Sequence, residues 1–183
     1  MKGPCFPLLI LLAVLAAVPA YAVQARLIPD SVDVIGGAAQ SNLRFQQETY
    51  RLYPVYVSLN YDLHPKIGSF FFCFEPFYSY VWRPETNFEA GASFALMYGY
   101  PLGPIEPYIK GGIGGVYISQ KIVFQHNGPN FNEYFGFGLR MFPQSPLNLL
   151  AEVRVRHVSN ADLASPNVGF NTFMALAGFG ISF

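Results

Sequence analysis

Charge is scarce in this chain: Asp, Glu, Lys and Arg make up 12% of its 183 residues, and the formal net charge is zero. Nucleic-acid binding needs a basic face, and such a composition offers none. Cysteine is scarcer still, with Cys5 and Cys73 only. Cys5 falls in the N-terminal apolar segment, which leaves Cys73 alone and excludes an internal disulfide. Cys73 sits in an aromatic run, where a lone thiol packs rather than reacts. Beyond the N-terminus no apolar run is long enough for a helical membrane span. No group of His, Cys and carboxylates has metal-ligand spacing. The run Gly111-Gly112-Ile113-Gly114-Gly115 lacks the Lys-Ser/Thr and the following helix of a phosphate loop. No cofactor is expected.

The N-terminus reads as an export signal. Lys2 supplies the positive start, Leu8 to Val18 the apolar core, and Ala20-Tyr21-Ala22 a small-x-small cleavage site. Cleavage is expected after Ala22, with Ala25 as the next site. Residues 23–183 then form one domain. Aromatics reach 17%, with 18 Phe and 12 Tyr against one Trp, and glycine is plentiful. An exported chain rich in Tyr, Phe and Gly, without a helical span, points to an outer-membrane β-barrel, whose strands escape hydropathy scans.

Period-two alternation gives eight strands: Val32 to Gln40 (the weakest), Tyr50 to Leu63, Ser69 to Trp82, Phe88 to Tyr100, Ile105 to Gln120, Phe131 to Phe142, Leu147 to Ser159 and Asn171 to Phe183. Tight Pro-bearing turns at His64-Pro65-Lys66, Pro101 to Pro104 and Pro143 to Pro146 alternate with mostly longer loops at 41–49, 121–130 and 160–170, Arg83 to Asn87 alone being short on that side. Short turns at one end and long loops at the other is the outer-membrane arrangement, with the long loops outside the cell. The expected fold is all-β: an eight-stranded antiparallel transmembrane β-barrel. Glu75, Glu89, Glu106 and Glu152 would share its lumen with Lys110, Arg140, Arg154 and Arg156. So narrow a barrel fills with side chains, and buried charges there must be paired. Tyr78, Tyr80, Trp82, Tyr98 and Tyr100 face outward, as interfacial girdles do.

The seventh strand carries the chemistry. Val153, Val155, His157 and Ser159 fall on one face, and Glu152, Arg154 and Arg156 on the other. In a membrane barrel the valine face meets lipid, so a His–Ser pair looks outward near the long-loop rim. That rim lies in the outer leaflet, which is lipopolysaccharide. Asn171 opens the returning strand on the same face. Backbones two residues apart on a strand are about 6.6–7 Å apart with side chains parallel, within reach of a ring nitrogen for a hydroxyl. A histidine beside a serine can activate it as a nucleophile toward an ester carbonyl. His64 and His126 read as turn and loop residues.

His157-Val158-Ser159-Asn160-Ala161, followed by Ser165-Pro166-Asn167-Val168-Gly169-Phe170-Asn171, resembles the C-terminal signature of the PagL-type lipid A 3-O-deacylase family. The resemblance implies an eight-stranded outer-membrane barrel that removes the ester-linked acyl chain at position 3 of lipid A. It implies that His157 is the general base and Ser159 the nucleophile. Asn160 and Asn167 become oxyanion or loop-ordering residues, and Gly169 lets the loop turn tightly. One position departs from the family pattern: Asn171 stands where the acid that orients the histidine is expected. Its carbonyl can accept the ring N–H but carries no charge, which implies weakened or altered activity, with Asp162 as a substitute acid.

The expected function is therefore serine-type hydrolysis of an acyl ester of lipid A by a monomeric or dimeric barrel. Its partners are lipopolysaccharide, the outer membrane, and the barrel-assembly machinery through the terminal Phe183. Two alternatives remain: a non-enzymatic structural or adhesive barrel, and a catalytically decayed relative that binds lipid A.

Overall fold

The computed structural model describes residues 28–42, 49–64, 68–122 and 125–183. The expected signal segment with Cys5, and Pro65-Lys66 of the first tight turn, lie outside the described residues. The strands are β1 (Ser31–Asn42), β2 (Thr49–Asp62), β3 (Ser69–Arg83), β4 (Asn87–Gly99), β5 (Ile105–Ile118), β6 (Gly128–Met141), β7 (Leu147–Ser159) and β8 (Phe170–Ser182). Each pairs antiparallel with its sequence neighbours, and β8 returns to pair with β1, closing the barrel. Closure leaves no unpaired strand edge, which is what a sheet needs where no water can satisfy it.

The weakest strand in the sequence, β1, runs a full 12 residues, close to the 13 to 15 of the others. Its pattern is blurred at Gly36-Gly37-Ala38-Ala39, and the closing seam explains why. A side chain at Gly37 would place its Cβ 2.0 Å from the Ala175 carbonyl oxygen on β8. Close backbone approach at the seam needs the missing side chain, so the residue that weakens the hydrophobic pattern is the one that lets the ring close.

Alternation sorts every strand between lipid and lumen. On β7, Val153 and Val155 are 59% and 43% exposed, while Arg154 and Arg156 are 1% and 0% exposed. The exposed face is apolar, so the usual soluble arrangement is inverted. Tyr78 and Tyr80 mark one end of the outer wall, and Tyr98 and Tyr100 the other. Trp82 stacks on Tyr53 and lies beneath the guanidinium groups of Arg51 and Arg83. Such amphipathic rings favour membrane–water interfaces.

The lumen is a packed ionic core. All eight expected charges are buried there, and Asp33 joins them. Glu75 sits at the centre, 2.7 Å from Lys110 Nζ and 3.4 Å from Arg154 Nη1, and accepts the Tyr134 hydroxyl. Arg154 also reaches Glu152 at 2.6 Å and lies between the Tyr56 and Tyr134 rings, 4.4 and 3.9 Å from their centroids. Arg156 grips Glu89 with two bonds of 2.8 and 3.1 Å, and Tyr50 donates to the same carboxylate at 2.8 Å. Arg140 serves two acids, Asp33 at 3.0 Å and Glu106 at 3.9 Å. Cys73 is fully buried on this inner face. Desolvating these charges is costly, so each must keep its partners.

Glu75→Leu should leave Lys110 and Arg154 underpaired and lower unfolding free energy by about 3–5 kcal/mol. Urea unfolding of the barrel refolded in vesicles, followed by Trp82 fluorescence, measures this loss.

Candidate active site on the barrel wall

β7 reaches the long-loop end of the barrel with Arg156 and Val158 turned inward and His157 and Ser159 turned outward. The inward residues fix the outward ones. Arg156 is clamped on Glu89, and Val158 is fully buried opposite Phe170. Phe170 in turn packs edge-on against Tyr50, with ring centroids 5.0 Å apart. The strand end that carries the two outward polar groups is therefore pinned from behind by an ion pair and an aromatic plug.

Register then sets a row across three strands. His157 pairs with Asn171 on β8, and their side chains meet at 2.8 Å between Nδ1 and Oδ1. With the Asn171 carbonyl oxygen accepting, Nδ1 carries the ring proton and Nε2 keeps its lone pair. That is the tautomer a general base needs. On the other flank, His157 pairs with Glu133 of β6, and Ser159 pairs with Phe131. His157 and Ser159 are half-buried and Asn171 is exposed, all on the outer face. The structure brings His157 and Asn171 into contact and sets Ser159 two residues along on the same face. No hydrogen bond joins Ser159 to the ring, a common state for catalytic pairs before substrate binds.

The loop after Ser159 is tied to itself. Asn160 N–H donates to Asn167 Oδ1 at 2.9 Å, and the Asn160 side-chain amide donates to the Ala164 carbonyl at 2.9 Å. Asn167 donates to Asp162 at 3.0 Å. Asp162 is thus engaged within the loop and is not brought to His157. Gly169 has φ +68°, and a Cβ there would stand 3.0 Å from His157 Cε1 and 3.3 Å from Nε2. Glycine is needed twice over, for the left-handed turn and to leave the imidazole edge open.

Two residues escaped the reading of the sequence. Gln125, from the loop between β5 and β6, is fully buried. Its Nε2 donates to Asn130 Oδ1 at 2.6 Å and to Asn167 Oδ1 at 3.1 Å, and its Oε1 accepts the Gly169 N–H at 3.3 Å. A neighbouring backbone bond, His126 N–H to the Pro166 carbonyl at 2.8 Å, adds to this tie. No local pattern marks Gln125, because two of its three partners are 42 and 44 residues away. Glu133 did leave a trace. It shares the phase of the outward Phe135 and Phe137, so alternation alone assigns it to the outer wall. His64 closes a turn against Asp62 at 3.2 Å, and His126 bonds its own loop.

A closed eight-stranded barrel with an apolar wall, a salt-bridged lumen and a polar row at the rim defines an outer-membrane β-barrel whose site faces outward. The family comparison is specific. The model of the lipid A 3-O-deacylase (PagL) family matches residues 40–180, and the chain belongs to that family. Among solved structures, the outer membrane enzyme PagL is similar over 82% of this chain and 99% of its own, at 21% identity and a TM-score of 0.66. Neisserial surface protein A matches over 84% and 96%, at 9% identity and 0.56. The N-terminal β-barrel domain of Pseudomonas aeruginosa OprF matches over 85% and 98%, at 16% identity and 0.50. These likenesses are of fold. No curated protein matches the chain.

Gln125→Ala should free the 160–169 loop without opening the barrel. Faster amide exchange across that loop, with the denaturation midpoint nearly unchanged, is the expected outcome in hydrogen-exchange mass spectrometry.

Proposed function

We propose that this chain is a serine-type lipid A deacylase that acts in the outer leaflet. The observation that carries the proposal is the outward His157–Asn171 contact of 2.8 Å, with Ser159 beside it on a wall that otherwise meets lipid. A substrate for such a pair must itself lie in the membrane. The long-loop end, where the pair sits, is the end that faces out of the cell in barrels of this kind. Lipid A then presents its ester at the height of the site.

Nε2 of His157 takes the Ser159 hydroxyl proton as Oγ attacks the ester carbonyl at the 3-position. The tetrahedral intermediate collapses with cleavage of the carbon–oxygen bond to the sugar. The departing 3-oxygen takes the proton back from the imidazolium. Water then attacks the acyl-serine, its proton passing through the same ring, and the fatty acid leaves. Asn171 holds the ring in the productive tautomer throughout. Asn160 and Asn167 keep the 160–169 loop ordered beside the reacting carbonyl, and Gly169 leaves room for it.

The wall offers a berth for the acyl chain. A groove of about 690 Å³ lies on the membrane side of the site, with Ala38, Tyr53, Trp82, Val155, Phe173 and Ala175 among its lining residues. Val155 and Phe173 lie two residues inward of His157 and Asn171 on the same faces. A departing or entering acyl tail remains in apolar surroundings along that path.

The test compares lipopolysaccharide from cells expressing the wild type and Ser159→Ala by mass spectrometry. Loss of the mass of one hydroxyacyl chain in the wild type alone is expected, with the variant slower by about 10³-fold or more. Identical spectra would favour the structural barrel or the decayed lipid A binder. Asn171→Glu should raise turnover by about tenfold through the added charge. Unchanged turnover would remove Asn171 from the orienting role.

A further inference from the structure

The outer wall of the barrel is nearly free of charge. Among the described residues, Arg51 and Glu133 are the only charged side chains at outward-facing strand positions between the rims. Arg51 has an evident reason to be there, because it lies over the Trp82 ring at the interface. Glu133 has none of that kind. No hydrogen bond or ion pair occupies its carboxylate among the described residues. An acid facing lipid is a cost that sequences avoid. It stands in one place, directly across from His157 in the β6–β7 ladder.

We propose that Glu133 supplies the negative charge that Asn171 lacks. In serine triads a single acid does two jobs: it fixes the imidazole tautomer and it stabilises the imidazolium that forms when the serine is deprotonated. Here the jobs are divided between the two flanking strands. Asn171 on β8 holds Nδ1–H at 2.8 Å. Glu133 on β6 holds the paired position on the other flank of His157, on the same outer face, with backbone positions about 4.5–5.5 Å apart as in any antiparallel pair. A carboxylate on the neighbouring strand offsets the charge the ring acquires when it takes the serine proton. Glu133 is thus a positioning residue, acting through His157 and not on the substrate. The inference rests on the deacylase reading and deepens it.

Four variants test the division in a vesicle-reconstituted deacylation assay on lipopolysaccharide, read as released hydroxy fatty acid. Glu133→Gln should lower kcat by about 10- to 100-fold with KM nearly unchanged. Glu133→Asp should retain most of the activity. Asn171→Glu in the Glu133→Gln background should restore kcat, and the gain should exceed the roughly tenfold gain of Asn171→Glu alone, because the first charge beside the ring counts for more than the second. Heat-modifiable migration in gels checks that each variant folds. A wild type without activity overturns the deacylase reading, and this inference with it. An active wild type with Glu133→Gln at wild-type kcat overturns this inference alone. So does a rise in KM with kcat unchanged, which would make Glu133 a contact for the lipid headgroup.

Discussion

The structure depends on pairing charge inside a ring that has no water around its waist. A strand of a small barrel meets hydrocarbon on one face and a lumen too narrow for bulk solvent on the other. Neither medium tolerates a lone charge. The chain meets this by sending almost every strand charge inward and giving it a partner: Glu75 with Lys110 and Arg154, Glu89 with Arg156, Asp33 and Glu106 with Arg140. Tyrosine hydroxyls add bonds to Glu89, Glu152 and Glu75. The outer wall can then be apolar over most of its area, and the sheet can close without a hydrated channel.

The same constraint builds the site. A polar group on the wall is conspicuous because the wall is otherwise apolar, and it is held still because the residues between the polar groups are anchored in the lumen. Arg156 and Val158 alternate with His157 and Ser159, so the salt bridge to Glu89 and the packing on Phe170 are also the foundation of the imidazole and the hydroxyl. Stability and the proposed chemistry share one strand and differ only in phase. The loop that returns to Asn171 is less self-sufficient. Its order comes from its own asparagines and from Gln125, donated by a loop far away in sequence.

Much of this was legible in the sequence, for a definite reason. Alternation at period two is local, so Phe173, Ala175 and Ala177 separate from Thr172, Met174 and Leu176 without any knowledge of neighbours. The lumen charges were read in the same way, and so was the convergence of His157, Ser159 and Asn171, since antiparallel strands joined by one loop must lie side by side. Legibility failed where the pattern was overridden or non-local. β1 looked weak because its seam needs Gly37 against β8. Asp33 was overlooked on that same strand. Gln125 could not be found because a buried side-chain amide that bridges two loops has no periodic signature.

By itself the sequence determined the number of strands, the face each side chain takes, the end of the barrel that carries the long loops, and the polar groups near its rim. Those properties follow from the two-residue repeat and from the chain's need to return through short turns. The tertiary structure decided the register, and with it which residue stands opposite which. Asn171 rather than Asp162 meets the imidazole, and Glu133 rather than another acid lies across the strand from it. A shift of one residue in pairing would exchange every such partner while leaving composition and most of the alternation untouched, so no reading along a single strand could settle them.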